Sequence, residues 1–214
     1  MKKINVGIAG GAGYTGGELL RILMHHPEVH ISFVHSTSNA GKSVIEVHTD
    51  LVGDTDLVFT NTFSNSIDVL FLCVGHHEAK KIVEEQKIAA SVSIIDLSQD
   101  FRLIANAVIA DRTFVYGLPE LNREKVTTAK NIANPGCFAT AIQLALLPLA
   151  KNGLLNEDVH INATTGSTGA GVSPSETTHF SWRNNNMSHY KAFEHQHLGE
   201  INQSIQQLQA GYPN

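Results

Sequence analysis

The stretch that most constrains the fold is INVGIAGGAGYTGGELL at residues 4–20, where an apolar run leads through closely spaced glycines into a helix-forming segment. Glycines recur there every three residues, at positions 7, 10, 13 and 16. Glycine allows a tight turn and a close approach of the backbone to a ligand, while the following helix begins with unpaired N–H groups. The pattern predicts a strand, a dinucleotide-binding turn and a helix, although a turn made only for packing would use glycine as well. The candidate cofactor residues are Gly10, Gly11, Ala12, Gly13, Tyr14, Thr15 and Gly16.

Strands and helices continue to alternate after this turn. The runs VHISFVH, DVLFLCV and VSIIDLS predict further strands, and HHEAKKIVEEQKIA between the last two predicts a helix. This order is typical of the α/β class, and we predict a Rossmann-type, doubly wound parallel sheet. The residues predicted to face the core from the first helix are Leu19, Leu20, Ile22 and Leu23.

The end of the second predicted strand bears on the choice of nucleotide. An NAD site favours Asp or Glu there, whereas VHSTSNAGKS supplies hydroxyls at Ser36, Thr37 and Ser38 and a cation at Lys42. These groups fit the 2′-phosphate of NADP better than a bare ribose. The segment SNAGKS partly imitates a P-loop, but Ser36 stands where the first glycine of that motif belongs. Lys42 would also be compatible with an ordinary solvated lysine.

A cysteine stands at the start of another predicted helix, in NPGCFATAIQLALLPLA. Asn134 is predicted as the N-cap and Pro135 as the first helical residue, which places Cys137 in the first turn. A thiol there tends towards the nucleophilic thiolate, and the nearby amides suit an oxyanion; the alternative is an inert cysteine, as predicted for Cys73. The face predicted to be buried comprises Phe138, Ala141, Ile142, Ala145, Leu146 and Leu149.

Two histidines near the end of the chain could move protons for such a thiol. FEHQHLGEI supplies His195 and His197, and either ring could be the base. On a helix, Glu200 would be a neighbour of His197 at i and i+3, which favours His197. Two histidines one residue apart also recur at metal sites, but the residues do not otherwise form a ligand pattern, and no metal is expected. Before this predicted helix, residues 158–178 are predicted as a strand followed by a long Gly/Ser/Thr loop.

Composition excludes several classes of function. The 214 residues carry 15 basic and 20 acidic side chains that are interspersed, with a net charge of -5, which is unfavourable for nucleic acid or an anionic membrane surface. No apolar run reaches the ~20 residues that span a bilayer. Only two cysteines occur, and no signal-peptide pattern precedes the first strand, so a cytoplasmic protein is expected.

In combination, six motifs resemble the N-acetyl-gamma-glutamyl-phosphate reductase family: GGAGYTGGEL, IIDLSQDFRL, YGLPELNR, NPGCFATAIQLALLPL, GSTGAGVSP and HQHLGEI. The resemblance implies a fold similar to aspartate-semialdehyde dehydrogenase, with an NADP-binding domain at residues 1–136. Part of an α+β catalytic and dimerisation domain would follow at residues 137–214. It implies that Cys137 is the nucleophile and that NADPH reduces an N-acylglutamyl phosphate to its semialdehyde in arginine biosynthesis. The full-length protein is expected to be a homo-oligomer.

Two further residues are predicted to contact substrate. Arg102 in SQDFR is suited to bind a phosphate or a carboxylate, and the alternative is a surface ion pair with Asp100. Glu200, in the histidine motif HQHLGEI, is the second predicted substrate contact. The family usually has His-Arg-His and then a proline where this chain has Gln196 and Gly199, and its catalytic domain continues beyond this point, so the chain is expected to be truncated. The sequence leaves open an acetyl or a succinyl substrate. Two other functions also remain open, an aspartate-semialdehyde-type dehydrogenase and a non-catalytic NADP-binding redox sensor.

Overall fold

The computed structural model describes residues 2–213. The chain divides between Pro135 and Gly136 into two compact units. The first unit contains all the strands assigned among the described residues, and the second is built from helices and irregular segments. Among the described residues, no helix combines the length and the apolar character needed to cross a bilayer.

The first unit is built on one eight-stranded sheet with the order β3-β2-β1-β4-β5-β8-β7-β6. Every pair of neighbouring strands is parallel except β6 and β7, which pair antiparallel at one edge. The strand bounds are β1 Ile4–Ala9, β2 Val29–His35, β3 Phe59–Thr60, β4 Val69–Leu72, β5 Ser93–Asp96, β6 Val108–Ile109, β7 Arg112–Tyr116 and β8 Asn131–Ala133. The helices are α1 Tyr14–Met24, α2 Glu78–Glu85 and α3 Pro119–Thr128, with 3-10 turns at 44–46, 49–51 and 104–106. The predicted parallel α/β sheet is confirmed.

The strand order places a nucleotide-type crevice at β1. The chain leaves β1 for β2 and β3 on one side and returns to β4 and β5 on the other, so the order reverses between β1 and β4. In open parallel sheets, ligands bind outside the carboxyl ends of the strands at such a reversal. The glycine turn between β1 and α1 lies at this point.

The prediction for the apolar side of α1 is correct for Leu20 and Leu23, which are buried, but wrong for Ile22, which is 65% exposed. At 100° per residue, Ile22 lies about 200° from Leu20 around the helix, on the side away from the core. The buried stripe instead continues through Gly16 and Gly17, where the absence of side chains lets the helix lie close to its neighbours.

The carboxyl end of β5 buries an acidic side chain. The backbone N–H of Ser98 donates to Asp96 Oδ1 at 3.0 Å, and the Ser98 hydroxyl donates to Oδ2 at 2.8 Å. Burial raises the pKa of Asp96 to about 6, and it outweighs the opposing effect of the bonds from Ser98. The folded protein therefore holds a proton on this carboxyl at a pH at which the unfolded chain has lost it.

This carboxyl makes stability fall as the pH rises from about 4 to about 6. Because the folded pKa is about 6 and the reference value is 3.8, the stabilisation is complete below the lower value and lost above the higher. The shift corresponds to about 3 kcal/mol of unfolding free energy. Asp96→Asn should remove this component, as measured by urea unfolding at several pH values. Asp111→Asn, at an exposed carboxyl, is the control, and an unchanged pH dependence in Asp96→Asn would contradict the prediction.

The second unit packs two long helices against each other. Its helices are α4 Cys137–Lys151, α5 Phe180–Arg183 and α6 His197–Leu208, with 3-10 turns at 167–170 and 176–178. Its core cluster of buried residues is formed by Ala139, Ala150, Leu155, Ile201 and Ile205.

One prediction for this unit is partly wrong and another is wrong. The buried residues of α4 are Ala139, Gln143, Leu147 and Ala150, and of the predicted face only Ile142 and Leu146 pack, partly buried, against the core cluster. Apolar residues occur all around α4, so periodicity does not identify the side on which α6 packs. The strand predicted near residue 158 is not formed, and Val159 and Ile161 are 39% and 42% exposed. A strand needs a neighbouring strand for its hydrogen bonds, and this unit supplies none within residues 136–213.

Candidate active site

Cys137 is the first residue of α4, and its side chain is exposed. The prediction of its place in the first turn is therefore confirmed, but the predicted cap is wrong. The N-cap is Gly136, whereas the Asn134 backbone N–H donates to the Asp96 carbonyl at 2.7 Å. This bond keeps Asn134 beside β5, so the helix begins only after the chain has left the sheet.

Gly136 brings the start of α6 directly against the start of α4. A Cβ at this position would lie 2.3 Å from His197 Nε2, so only glycine leaves room for the imidazole ring. The N–H of Gly136 donates to Glu200 Oε2 at 2.9 Å. Gly136 therefore holds two predicted site residues, His197 and Glu200, at the residue that directly precedes Cys137.

Glu200 and His197 are both buried in the first turn of α6. Glu200 Oε1 lies 3.9 Å from His197 Nε2, which confirms the predicted neighbourhood at helical spacing. The other carboxylate oxygen holds the N–H of Gly136, so the side chain connects the starts of both helices. This geometry supports a positioning role for Glu200; the predicted substrate contact stays a prediction.

His195 is half-buried and lies beside His197, with ring centroids 4.5 Å apart. The backbone N–H of His197 donates to His195 Nδ1 at 3.2 Å, so the neutral ring carries its proton on Nε2. Burial lowers the pKa of His195, Lys191 lowers it further, and Glu200 opposes both. Near neutral pH the ring is thus a hydrogen-bond donor through Nε2, which suits His195 poorly as a base.

Tyr190 is a member of this group that the sequence did not indicate. Its ring centroid lies 5.7 Å from that of His195, and the His195 ring contacts Phe138 edge-on at 5.6 Å. Burial raises the pKa of Tyr190, and the charge of a Cys137 thiolate raises it further. Tyr190 stands in an irregular segment outside any recognisable motif, so only its spatial position identifies it.

Cys73 differs from Cys137 in its surroundings. Burial raises its pKa to about 12, and the nearby Asp96 carboxyl acts in the same direction. This thiol therefore stays protonated, in agreement with its predicted role as a packing residue.

The glycine turn of the first unit is shaped by close backbone packing. Gly10 has φ +78°, and a Cβ there would lie 2.3 Å from the carbonyl oxygen of Cys73. The N–H groups of Gly10 and Gly11 both donate to the His35 carbonyl at 3.0 Å, and that of Gly13 donates to the Gly10 carbonyl at 3.2 Å, so these three amides are held within the protein. His48, which the sequence did not indicate, contacts the Gly11 carbonyl through Nε2 at 2.7 Å. The narrow cradle fits the pyrophosphate of a dinucleotide.

The residues predicted to bind a 2′-phosphate share one loop after β2. Ser36 is buried, whereas Ser38 and Lys42 are exposed. A residue that the sequence analysis passed over, Asn39, lies among them: Nδ2 donates to Ser38 Oγ at 3.1 Å, and Oδ1 accepts from Lys42 Nζ at 3.2 Å.

Arg102 is only 6% exposed, so the alternative of a surface arginine is wrong. Its Nε donates to the Asn134 carbonyl at 2.8 Å, and Nη2 donates to the Leu97 carbonyl at 2.9 Å. Asp100 caps α2, since its carboxylate accepts the N–H groups of His77 at 2.7 Å and Lys80 at 3.1 Å. The SQDFR segment therefore binds backbone groups of the first unit, and the substrate contact of Arg102 stays a prediction.

A parallel sheet with a glycine turn, followed by a helix that begins with an exposed cysteine, is typical of the class of dinucleotide-dependent enzymes that use a thiol nucleophile. Residues 5–129 match the model of the semialdehyde dehydrogenase NAD binding domain, and residues 137–213 match that of the semialdehyde dehydrogenase dimerisation domain. The chain therefore belongs to the semialdehyde dehydrogenase family.

The curated relatives of this chain include several proteins named N-acetyl-gamma-glutamyl-phosphate reductase, which confirms the resemblance seen in the motifs. The protein from Flavobacterium johnsoniae is 63% identical over 96% of this chain, and that from Christiangramia forsetii is 60% identical over 98%. A relative from Bacteroides fragilis is 59% identical over 98% of the chain. The chain spans 63% of the length of the first relative and 64% of the other two.

Solved structures of aspartate semialdehyde dehydrogenases share the fold. Enzyme II from Vibrio cholerae, in complex with ASA, superposes with a TM-score of 0.58 at 21% identity, covering 80% of this chain and 49% of that one. The Candida albicans enzyme with NADP has a TM-score of 0.54 at 17% identity, covering 72% and 48%. At these identities the likeness concerns the fold alone.

Proposed function

We propose that this chain carries the NADPH-binding and thiol-bearing parts of an N-acetyl-gamma-glutamyl-phosphate reductase. The enzyme would reduce the acyl phosphate to N-acetylglutamate 5-semialdehyde and phosphate in arginine biosynthesis. The observation that carries the proposal is the exposed Cys137 at the first position of α4, whose neighbours in sequence contact the predicted site residues. Gly136 lies against His197 and Glu200, and Phe138 against His195. The identity of up to 63% to reductases of that name supports the choice of substrate.

The thiol would act first. Cys137 Sγ attacks the carbonyl carbon of the acyl phosphate, the C–O bond to phosphate breaks, and a thioester and free phosphate result. The backbone N–H groups of Cys137 and Phe138 open the helix and have no helical carbonyl to bind, so they can stabilise the negative oxygen of the tetrahedral intermediate. The amide of Gly136 is held by Glu200 and is not part of this hole.

NADPH, when bound, supplies the hydride that reduces the thioester carbonyl. Collapse of the resulting tetrahedral species breaks the C–S bond, releases the aldehyde and returns the thiolate. In this proposal His197 takes the thiol proton before attack and holds it on the ring, while Glu200 stabilises the imidazolium. The glycine turn would hold the pyrophosphate, and Ser36, Ser38 and Lys42 the 2′-phosphate.

The proposal extends to the setting of the enzyme. The match to a dimerisation domain supports a homo-oligomer for the full-length protein, and the biosynthetic role supports a cytoplasmic location. No partner beyond a small-molecule substrate is proposed, and neither nucleic acid nor a membrane surface is part of the reaction.

A substrate panel tests the proposed function. NADPH oxidation should be followed by absorbance with N-acetylglutamyl phosphate, N-succinylglutamyl phosphate and aspartyl phosphate, using this chain and a version extended to the length of its relatives. We expect the N-acetyl substrate and NADPH to give the highest kcat/KM in the extended protein, because its relatives carry that name. A preference for aspartyl phosphate would contradict the proposal. Nucleotide binding without turnover of any acyl phosphate would instead favour the redox sensor.

A further inference from the structure

The loop that follows β2 is tied directly to the glycine turn. The His35 carbonyl at the end of β2 accepts N–H groups from Gly10 and Gly11 at 3.0 Å each, so the next residues of the chain lie beside that turn. A second set of bonds holds the loop to β3: Ser36 N–H donates to the Thr60 carbonyl at 2.9 Å, and Gly41 N–H to the Phe59 carbonyl at 2.8 Å. The loop of residues 36–42 is thus anchored at both ends.

Asn39 lies at the centre of this loop and contacts three of the side chains predicted to bind the 2′-phosphate, those of Ser36, Ser38 and Lys42. Its Nδ2 donates to Ser38 Oγ at 3.1 Å and reaches Ser36 Oγ at 3.5 Å. Its Oδ1 accepts from Lys42 Nζ at 3.2 Å. The Asn39 carbonyl also accepts the N–H of Lys42 at 3.0 Å, which closes the turn and fixes the asparagine backbone.

The chemistry of these contacts favours an anion. A serine hydroxyl that accepts from Nδ2 keeps its own hydrogen free to donate outwards, so both hydroxyls can donate to a phosphate. The amide oxygen orients the Lys42 ammonium without neutralising its charge, which a carboxylate at position 39 would do. Residues 36–42 contain no Asp or Glu, so their net charge is positive.

We infer that Asn39 is the positioning residue that sets the preference for NADPH over NADH. It acts through Ser36, Ser38 and Lys42, whose donors it arranges around the space for a phosphomonoester on the ribose. The inference rests on the proposed function, because it requires that the first unit binds NADPH.

Calorimetric titration of the chain with NADPH and NADH tests this role, with the ratio of the two affinities as the readout. Asn39→Ala should lower the NADPH preference about tenfold, because Lys42 and the serines lose their common partner. Asn39→Asp should lower it about a hundredfold at low salt, since the carboxylate pairs with Lys42 and repels the phosphate. In both variants NADH affinity should stay within about twofold of the wild type, and Lys42→Ala should resemble Asn39→Ala.

Asn65→Ala is the matched control. Asn65 also fastens a loop, with Oδ1 accepting the N–H of Ala89 at 2.9 Å, but it lies near the start of β5 rather than beside the glycine turn. This variant should keep the wild-type ratio. Titration with 2′,5′-ADP and 5′-AMP, which differ in the 2′-phosphate, should show the same loss of preference in the Asn39 variants as titration with NADPH and NADH.

The outcomes separate this inference from the proposed function. If both Asn39 variants keep the wild-type ratio of NADPH to NADH affinity, the inference is overturned and the proposed function still stands. Equal weakening of both cofactors in Asn39→Ala shows a merely structural residue and also overturns it. A wild-type chain that binds neither cofactor overturns the proposed function, and the inference with it.

Discussion

Cys137→Ser is expected to abolish the covalent step. With N-acetylglutamyl phosphate and no NADPH, the wild-type chain should gain the mass of one N-acetylglutamyl group on the peptide that contains Cys137, and the variant should gain none. In the extended protein, NADPH oxidation should fall by about four to six orders of magnitude, because a hydroxyl replaces the nucleophilic sulfur. Mass spectrometry and absorbance measure the two effects.

Cys73 provides the control for this experiment. Cys73→Ala should retain the adduct, since burial raises the pKa of Cys73 to about 12 and keeps its thiol protonated. Because Cys137 is exposed, we expect Cys137→Ser to keep the wild-type fold, which circular dichroism can verify. An adduct that persists in Cys137→Ser would remove the thioester mechanism.

His197→Ala should slow acylation by about two to four orders of magnitude, and His195→Ala should have a smaller effect. The smaller effect at His195 follows from its tautomer. The backbone N–H of His197 donates to His195 Nδ1, so the neutral ring of His195 has no free acceptor nitrogen to take a proton. Quenched-flow mass spectrometry of the thioester across pH measures the rate. In His197→Ala the rate of thioester formation should rise only at a higher pH than in the wild type, because the thiol must then ionise without a base.

A packing defect in His197→Ala has to be distinguished from the loss of a base, because the ring contacts Gly136 directly. The rate of iodoacetamide labelling at high pH is the control, since it reports an accessible thiolate that needs no base. We expect the variant to label at the wild-type rate there. A larger acylation defect in His195→Ala than in His197→Ala would reverse the two assignments.

The sequence predicted β1, α1, β2, β4, α2 and β5 of the first unit correctly because the signals for these elements are local. The turn around Gly10 requires a left-handed backbone and a close approach to the carbonyl of Cys73, and both requirements act on the glycine itself. Buried parallel strands need uninterrupted apolar runs, which short segments display without reference to the rest of the chain. The loop residue Asn39 was missed because a single asparagine in a polar turn carries no periodic or motif signal.

Predictions failed where a distant segment decides the outcome. Asn134 has the side chain of an N-cap, but its backbone is held by the Asp96 carbonyl and the helix begins later. The buried face of α4 depends on where α6 packs, and apolar residues on every side of α4 left that choice open. The alternative of a surface ion pair for Arg102 failed in the same way, because its bonds to the Asn134 and Leu97 carbonyls follow only from the folded sheet.

The sequence by itself determined the glycine turn, the alternation of strands and helices from β1 to β5, and the place of Cys137 at the start of a helix, because backbone conformation and apolar periodicity are local properties. It did not indicate the short strand β3 or the elements between β5 and Cys137. Tertiary structure alone decided which groups surround the thiol. The bond between Gly136 and Glu200 joins residues 64 positions apart, and the room for His197 exists because Gly136 lacks a side chain. Such contacts depend on how separate helices pack, and a pattern within one segment does not contain that information.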